Sequence, residues 1–362
     1  MCFCKQVGSR IFILLLYVDD ILAMVDEEEA EKIRAHLVAK FGTVVFEING
    51  KLSYLGMEIE LSDKGTKIDM SFYVKQIIED AEEKLVLTKY ESPGTKETFV
   101  AHEGAGILSE KSRVYFHSTV AKLLYLAKRA RPDILTVVTY LCTRVQHATV
   151  EDKRKLARVL GYLKSTVERT LLLKRSSTES TVVAYVDAAY ALHGDSKSHT
   201  GVVIYVGGTL AYVASRKQKC MSKSPTEAEL VALTDNLGLV ELFQEFVEFV
   251  TKKEIAPPLV YQDCNAVVTL VTKGGGKLRT KHLRARMHLG KEMVDEGRIM
   301  VVYKNAEGME ADGFSKPYDP AKHKSFAAMI QGEAGQQVGA MQNGERSQEK
   351  SMGRSGKMQG KS

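Results

Sequence analysis

The 362-residue chain has no apolar run long enough to cross a bilayer. Its longest, Ile11–Val18, falls far short of the roughly 20 residues a spanning helix needs. Lys5 and Arg10 lie ahead of it as in a signal peptide. Asp19-Asp20 follow at once and no small-residue cleavage pattern does, so none is expected. Cysteine is scarce. Cys2, Cys4, Cys142, Cys220 and Cys264 are odd in number and scattered, which fits neither a disulfide framework nor a zinc site. That usage suits a reducing, intracellular compartment and not a secreted protein. A large net charge is missing too. Lys plus Arg is 51 against 45 Asp plus Glu, a balance of +6, so any functional charge must be local. No internal repeat is present. β-branched residues vanish at the C-terminus, where residues 331–362 hold seven Gly, six Gln and Val338 alone. Such a stretch cannot bury a core and is expected to be disordered.

What is there reads as globular. Hydrophobic residues make up 44% and charged residues 27%, and the length suits two or three domains. Ile11–Tyr17 and Ile21–Val25 read as buried strands around a two-acid turn. Glu27–Phe41 has helical spacing that Gly42 ends. Val44–Ile48 and Tyr54–Leu61 read as strands about an Asn49-Gly50 turn, and Phe72–Leu85 as a helix. Residues 91–106 read as a linker, and Lys111–Arg175 as helical throughout. From Thr181 the pattern is three short strands (Thr181–Val186, Val202–Val206, Leu210–Ala214), a long helix over Thr226–Val250 and a fourth strand, Leu259–Gln262. A helix, a basic segment, another helix, a fifth strand (Ile299–Tyr303) and a short helix at Met309–Lys316 follow. The fold class is α/β: an α+β unit, then a mixed five-stranded sheet with helices. The boundaries are drawn at 1–98, 99–175, 176–324 and 325–362, the last as a disordered tail.

Several acids stand where chemistry could use them. Asp19 and Asp20 repel each other, which a divalent cation would relieve; a solvated hairpin turn explains them as well. Asp187 ends the first strand of the later unit, Glu229 lies on its long helix, Asp263 ends its fourth strand and Asp312 lies on its last helix. Four such acids can converge on one sheet edge and hold two Mg²⁺ or Mn²⁺ ions about 3.5–4 Å apart. Glu227 and Glu229 lie about 200° apart on the helix. Glu227 shares a polar face with Thr234, Glu241 and Glu245. Glu229 falls among Leu233, Val240, Phe243 and Val247, so it must be paired there, and it is the one chosen as ligand.

The basic residues are concentrated. Lys111–Arg175 holds 15 Lys or Arg against four acids, including Lys128, Arg129 and Arg131. Lys273–Arg286 holds six and no acid, including Lys277, Arg279 and Lys281, with His282 beside them. Both surfaces suit a phosphate backbone rather than base edges. His282 and His288 lack the partners of a zinc set.

Tyr17-Val18-Asp19-Asp20 between apolar strands resembles the polymerase signature of reverse transcriptases. Phe41-Gly42 and Tyr54-Leu55-Gly56-Met57-Glu58-Ile59 resemble its copia-type retrotransposon form. Tyr125-Leu126-Ala127, Arg131-Pro132-Asp133-Ile134 and Gly161-Tyr162-Leu163-Lys164 are similar to the segment joining polymerase to ribonuclease H in those polyproteins. Val186-Asp187-Ala188, Lys197-Ser198-His199-Thr200-Gly201, Ser224 to Leu230, Tyr261-Gln262-Asp263, Arg279-Thr280-Lys281-His282 and Ala311 to Lys316 resemble copia-type ribonuclease H in order and wording. Ala189, Tyr190 and Arg284 depart from the pattern where relatives carry Asp, Trp and Asp or Asn.

The resemblance covers roughly Ile11–Lys324. It implies a truncated palm, a basic thumb or connection, and a ribonuclease H domain. The implied reaction is endonucleolytic hydrolysis of RNA paired to DNA, with two Mg²⁺ or Mn²⁺ ions held by Asp187, Glu229, Asp263 and Asp312. The implied partners are RNA–DNA hybrid or duplex nucleic acid, no membrane, and self-association as in related polyproteins. The implied setting is the cytoplasm, a virus-like particle or the nucleus. Two other readings are a catalytically decayed nucleic-acid-binding remnant and a reverse transcriptase active only in a longer chain.

In the family, the palm also needs an Asp from a strand upstream of Tyr17, and fingers to hold template and nucleotide. The residues before Ile11 hold neither, so Asp19 and Asp20 are read as vestigial ligands. This chain by itself is expected not to polymerise DNA; template-directed nucleotide incorporation by the purified chain overturns that.

Overall fold

The computed structural model describes residues 1–333 apart from 9, 48–49, 102–103, 175–179 and 275–280. The expected Asn49-Gly50 turn and most of the tail lie wholly or partly outside these. Strands β1 (Cys2–Val7), β2 (Arg10–Tyr17) and β3 (Asp20–Met24) form an antiparallel meander. β1 is a lead-in strand whose weak apolar pattern gave no sequence signal. Helix α1 (Glu27–Phe41) starts at Asp26, whose carboxylate accepts the Glu29 N–H. None of the described residues in 1–50 is buried.

Residues 44–47, expected as a strand, have no regular structure. The hairpin lies later, between β4 (Lys51–Tyr54) and β5 (Met57–Ser62). Leu55 and Gly56 make its turn, both at positive φ. β6 (Gly65–Asp69) pairs with β5 and leads to α2 (Ser71–Glu82), α3 (Glu110–Ala127), α4 (Leu135–Cys142) and α5 (Val150–Ser165). The helical reading of 111–175 fails at its end. Leu171-Leu172-Leu173 form β7 (Leu171–Lys174), which closes the β4–β6 sheet by pairing with β6. A three-leucine run fits either periodicity, and the open edge of β6 decides it.

The third sheet contains β8 (Val182–Ala189), β9 (His199–Val206), β10 (Thr209–Lys217), β11 (Leu259–Gln262) and β12 (Met300–Tyr303). Between β10 and β11 runs α6 (Pro225–Thr251), and between β11 and β12 run α7 (Asn265–Thr272) and α8 (Lys281–Asp295). After β12 come α9 (Asp312–Ser315) and α10 (Pro320–Ile330). The order is β10-β9-β8-β11-β12. β8, β9 and β10 are antiparallel neighbours, whereas β11 runs parallel to β8 and β12. The mixed five-stranded sheet expected from the sequence is therefore present.

Both faces of this sheet are covered. Val186, Ile204 and Val260 pack with Leu233 and Val240 of α6, Val267 of α7 and Leu283 of α8. On the other face Tyr185, Val203, Tyr261 and Phe314 belong to one core with Leu123, Leu141 and Leu160 of α3–α5. One core thus crosses the boundary drawn at residue 175. Polar contacts stitch the same seam: His193 and His199 share a 3.0 Å hydrogen bond, His199 reaches Ser215 Oγ at 2.7 Å, and Ser215 reaches Thr139 of α4 at 3.1 Å. The boundary at 324 also moves. Phe326, Ala327 and Ile330 of α10 are buried, as is Gln331, so the ordered chain runs past it. No helix among the described residues is long and apolar enough to cross a membrane.

Arg131 and Asp133 lie fully inside the helical part. Arg131 Nε and Nη2 donate to the two Asp133 oxygens at 3.0 and 2.9 Å, and Nη1 donates to the Thr166 carbonyl at 2.9 Å. Tyr162 OH donates to Asp133 Oδ2 at 2.7 Å, and Gln331 Nε2 to Oδ1 at 3.3 Å. Arg131 is therefore a structural residue, and its reading as a nucleic-acid contact is corrected: the guanidinium is 1% exposed. Arg131→Met removes the bidentate partner of buried Asp133 and leaves only Arg169, 3.9 Å from Oδ2, and breaking a buried pair typically costs about 3–5 kcal/mol. Chemical denaturation is expected to show a loss of that size, and a loss below about 1 kcal/mol contradicts this account.

Candidate metal centre

β8 and β11 are parallel neighbours, so their C-terminal ends emerge together at one sheet edge. Asp187 lies near the end of β8 and Asp263 just beyond β11. α6 begins beside them. Ser224 caps it by accepting the Glu227 N–H, and Pro225 fills the first helical turn. Glu227 turns back to accept the Lys223 N–H at 2.7 Å, so it serves the cap. Glu229, 8% exposed, points at the strand ends. Oxygens of Asp187, Glu229 and Asp263 lie within 4.8 Å of one another. The helix face was read correctly for Glu229 but too simply for its opposite. Thr234 is buried, its hydroxyl met by Arg286 at 3.2 Å, and Glu241 pairs with Arg298. α8 and the turn before β12 cover part of the face expected to be wet, while Glu245 on the same face stays exposed.

The electrostatics are those of a site short of positive charge. Burial, then Asp187 and Asp263, push the Glu229 carboxyl up to about 9. Burial raises Asp187 to about 6 against the hydrogen bond from Ser315, with Asp312 and Asp263 adding to the rise. Asp263 is raised by burial and by Asp312. Glu229 Oε1 accepts the Ala188 N–H at 3.2 Å. Glu229 Oε2 is buried without a close hydrogen bond; the Gln262 amide lies near enough to lower the carboxyl slightly, but its Nε2 is also left without a close partner. A buried oxygen beside two carboxylates, with one loosely placed amide for a donor, is the chemistry of a hard-cation ligand set.

Asp312 is not a member of that trio. Its Oδ1 pairs with Lys316, and its Oδ2 accepts from Tyr318 OH at 2.8 Å and Lys322 Nζ at 2.9 Å. Burial alone would raise its carboxyl, but the lysine hydrogen bonds outweigh this and hold it below the usual range. α9 is nevertheless pressed against Asp187, since Ser315 Oγ donates to Asp187 Oδ2. Gly201, opposite Asp187 in the ladder, permits this approach: a Cβ there would collide with the backbone of Ala311, Phe314 and Ser315. Ser315 and Lys316 lie in the stretch already singled out but were read only for Asp312. Tyr318 and Lys322 gave no sequence signal.

The remaining candidates stand apart. Asp19 and Asp20 are exposed at the β2–β3 turn, where Val18 has φ 55°. Lys128 Nζ donates to the Val213 carbonyl at 3.1 Å, and Arg129 stacks 3.5 Å from the Tyr125 ring centre. Lys281 is exposed at the start of α8. Lys277, Arg279 and the side chain of His282 lie outside the described residues. Some of the basic residues in 111–175 are paired within the protein: Lys122 with Asp80 and Lys164 with Glu82 at the surface, and Arg144 with Asp152.

No protein-family model matches the chain. It is 26% identical over 332 residues to the retrovirus-related Pol polyprotein from transposon RE1 of Arabidopsis thaliana, covering 91% of this chain and 22% of that protein. It is 27% identical over 327 residues to the corresponding polyprotein from transposon TNT 1-94 of Nicotiana tabacum, covering 85% and 23%. The chain is related to the Pol polyproteins of copia-type transposons. It spans about a fifth of the length of these curated Pol relatives. Among solved structures, a ribonuclease H1 from Halobacterium salinarum NRC-1 is similar over 37% of the chain and 94% of its own, at 17% identity and a TM-score of 0.29.

Glu229 carries a pH consequence for the metal-free protein. Below its ordinary value of 4.5 the carboxyl is protonated folded or unfolded. As pH rises from there to about 9, only the unfolded chain releases the proton readily, so the wild type loses stability. Glu229→Gln has no such loss. In chelator it is expected to be the more stable form near pH 8, by more than about 1 kcal/mol, with the gap narrowing toward pH 4. Thermal melts across pH check this; a gap that closes as pH rises refutes it.

Proposed function

We propose that the chain is a ribonuclease H-type endonuclease that hydrolyses the RNA strand of an RNA–DNA hybrid with Mg²⁺ or Mn²⁺. The observation that carries this is the trio of Asp187, Glu229 and Asp263, with oxygens within 4.8 Å and Glu229 Oε2 buried without a close hydrogen bond. Relationship to transposon Pol polyproteins supports nucleic acid as the substrate class. Asp187, Glu229 and Asp263 would hold the cation, and Asp312 flanks them. When bound, the cation supplies Lewis-acid polarisation of the scissile phosphate. The protein supplies placement. Ser315 fixes one oxygen of Asp187, and the Ala188 N–H fixes one oxygen of Glu229. Each keeps its other oxygen for the site. Water adds to phosphorus, the bond to the RNA 3′ oxygen breaks, and that oxygen leaves as a hydroxyl. The downstream fragment keeps the phosphate at its 5′ end, and the water's proton goes to the 3′ oxygen that leaves. Neutral peptide groups at the strand ends and Lys281 on α8 present no base-reading pattern, so recognition rests on backbone and shape.

Purified chain is expected to cleave the RNA strand of a hybrid when Mg²⁺ is added and to stop in chelator. Glu229→Gln is expected to lower cleavage by at least about 100-fold, the scale of losing a principal electrostatic contributor. Glu227→Gln is expected to stay within a few-fold of wild type. Hybrid binding without cleavage, at any Mg²⁺ or Mn²⁺ concentration, would favour the decayed nucleic-acid-binding remnant instead.

A further inference from the structure

We propose that Gln218 is a positioning residue for the acid trio: its side-chain amide sets the start of α6, and with it Glu229, against β8 and β9. The inference rests on the metal-site reading above and concerns what holds that site's spacing. Gln218 is the first residue after β10 and is 5% exposed. Its Nε2 donates to Thr200 Oγ1 of β9 at 3.1 Å and to the Ala228 carbonyl of α6 at 2.9 Å. A carbonyl can only accept, so the amide faces Ala228 with its nitrogen. Its Oε1 accepts from Ser222 Oγ at 3.4 Å, and its backbone N–H donates to the Ser198 carbonyl at 2.9 Å. None of these bonds uses an oxygen of the trio, so they do not compete with a cation for a ligand atom.

Each partner of the amide stands one step from the trio. Ala228 precedes Glu229 in the helix. Thr200 lies opposite Ala188 in the β8–β9 ladder, and Ala188 follows Asp187. The Ala188 N–H donates to Glu229 Oε1 at 3.2 Å. The contacts therefore close a circuit. It runs from Gln218 to Thr200, across the ladder to Ala188, on to Glu229, and through Ala228 back to Gln218. Residues 219–224, which join β10 to α6, form neither helix nor strand. Leu233 and Val240 hold α6 on the sheet by packing with Val186 and Ile204, but hydrophobic attraction is non-directional. The amide adds a directional restraint at the end of the helix that carries Glu229.

The test measures the Mn²⁺ affinity of the full chain without nucleic acid, from the loss of the free-ion electron paramagnetic resonance signal. Hybrid cleavage at saturating Mn²⁺ and thermal melts are followed in parallel. Gln218→Met removes both donors at similar length. It is expected to weaken Mn²⁺ binding about 10-fold or more, the scale on which the outer supports of a metal site act. Its kcat is expected to fall about 10- to 100-fold, as a misplacement of about 1 Å does, with KM for the hybrid within a few-fold of wild type. Thr200→Val is expected to weaken Mn²⁺ binding by a smaller factor, and Thr200→Ser, which restores the hydroxyl, to restore it. A merely structural role lowers the melting temperature and leaves the Mn²⁺ affinity of the folded protein unchanged. That result in Gln218→Met overturns the proposal. If Gln218→Met does not fold, the Thr200 pair decides: Val and Ser variants of equal affinity overturn it. Unchanged Mn²⁺ affinity in the variants beside hybrid cleavage by wild type sinks the Gln218 inference alone. The expected losses of affinity without cleavage by wild type sink the nuclease reading alone.

Discussion

Asp133 is the carboxylate on which the helical half of the molecule depends. It is fully buried, and Arg131, Tyr162 and Gln331 converge on it from three parts of the chain. Burial alone would raise it, yet the Arg131 guanidinium holds it below the usual range. Because a buried charge is tolerated only when its partners are in place, this one interaction sets α5 and the end of α10 relative to the start of α4. α4 in turn underlies the five-stranded sheet, where Thr136 donates to the Gly313 carbonyl at 2.7 Å. The order of α9, and with it one flank of the acid trio, is therefore inherited from a salt bridge in another part of the chain.

The molecule thus contains two buried acid sites with opposite accounts. Around Asp133 both carboxylate oxygens accept hydrogen bonds, from Arg131, Tyr162 and Gln331. Around Glu229 an oxygen is left over, and three carboxyls are pushed upward by burial and by one another. The first arrangement maximises stability. The second gives some away and has a use only if a cation arrives. Surface charge follows the same division. Lys122, Arg144 and Lys164, part of the local basic excess, are partnered within the protein, so a count of lysines along the chain overstates what a phosphate backbone can meet.

The later sheet was legible because its strands are apolar, short and separated by strong breaks, and because Leu259–Gln262 follows Pro257-Pro258. Glu229 was legible from helix geometry: an acid on an apolar face demands a partner. The lead-in strand β1 was not, since four of its six residues are exposed and its stability comes from pairing with β2. Nor was β7, whose leucines fit a helix until β6 offers an edge. The inward turn of Arg131 was hidden because, although Asp133 is two residues on, the Thr166 carbonyl and hydroxyl that complete its setting are 35 residues away. Asp312 was recognised, but Tyr318 and Lys322 that neutralise it carry no pattern of their own.

Gly201 sets a distance. β9 is locked between β8 and β10, so it cannot retreat from a side chain added there. The backbone of α9 lies where a methyl group would be, and α9 is a single turn whose four residues are all buried, tied to α4 through Thr136 and to β8 through Ser315. Added bulk at 201 would press on that turn and part Ser315 from Asp187. The separation between sheet and turn, on which the orientation of one member of the trio rests, is thus gauged by a residue that carries no charge and no functional group at all.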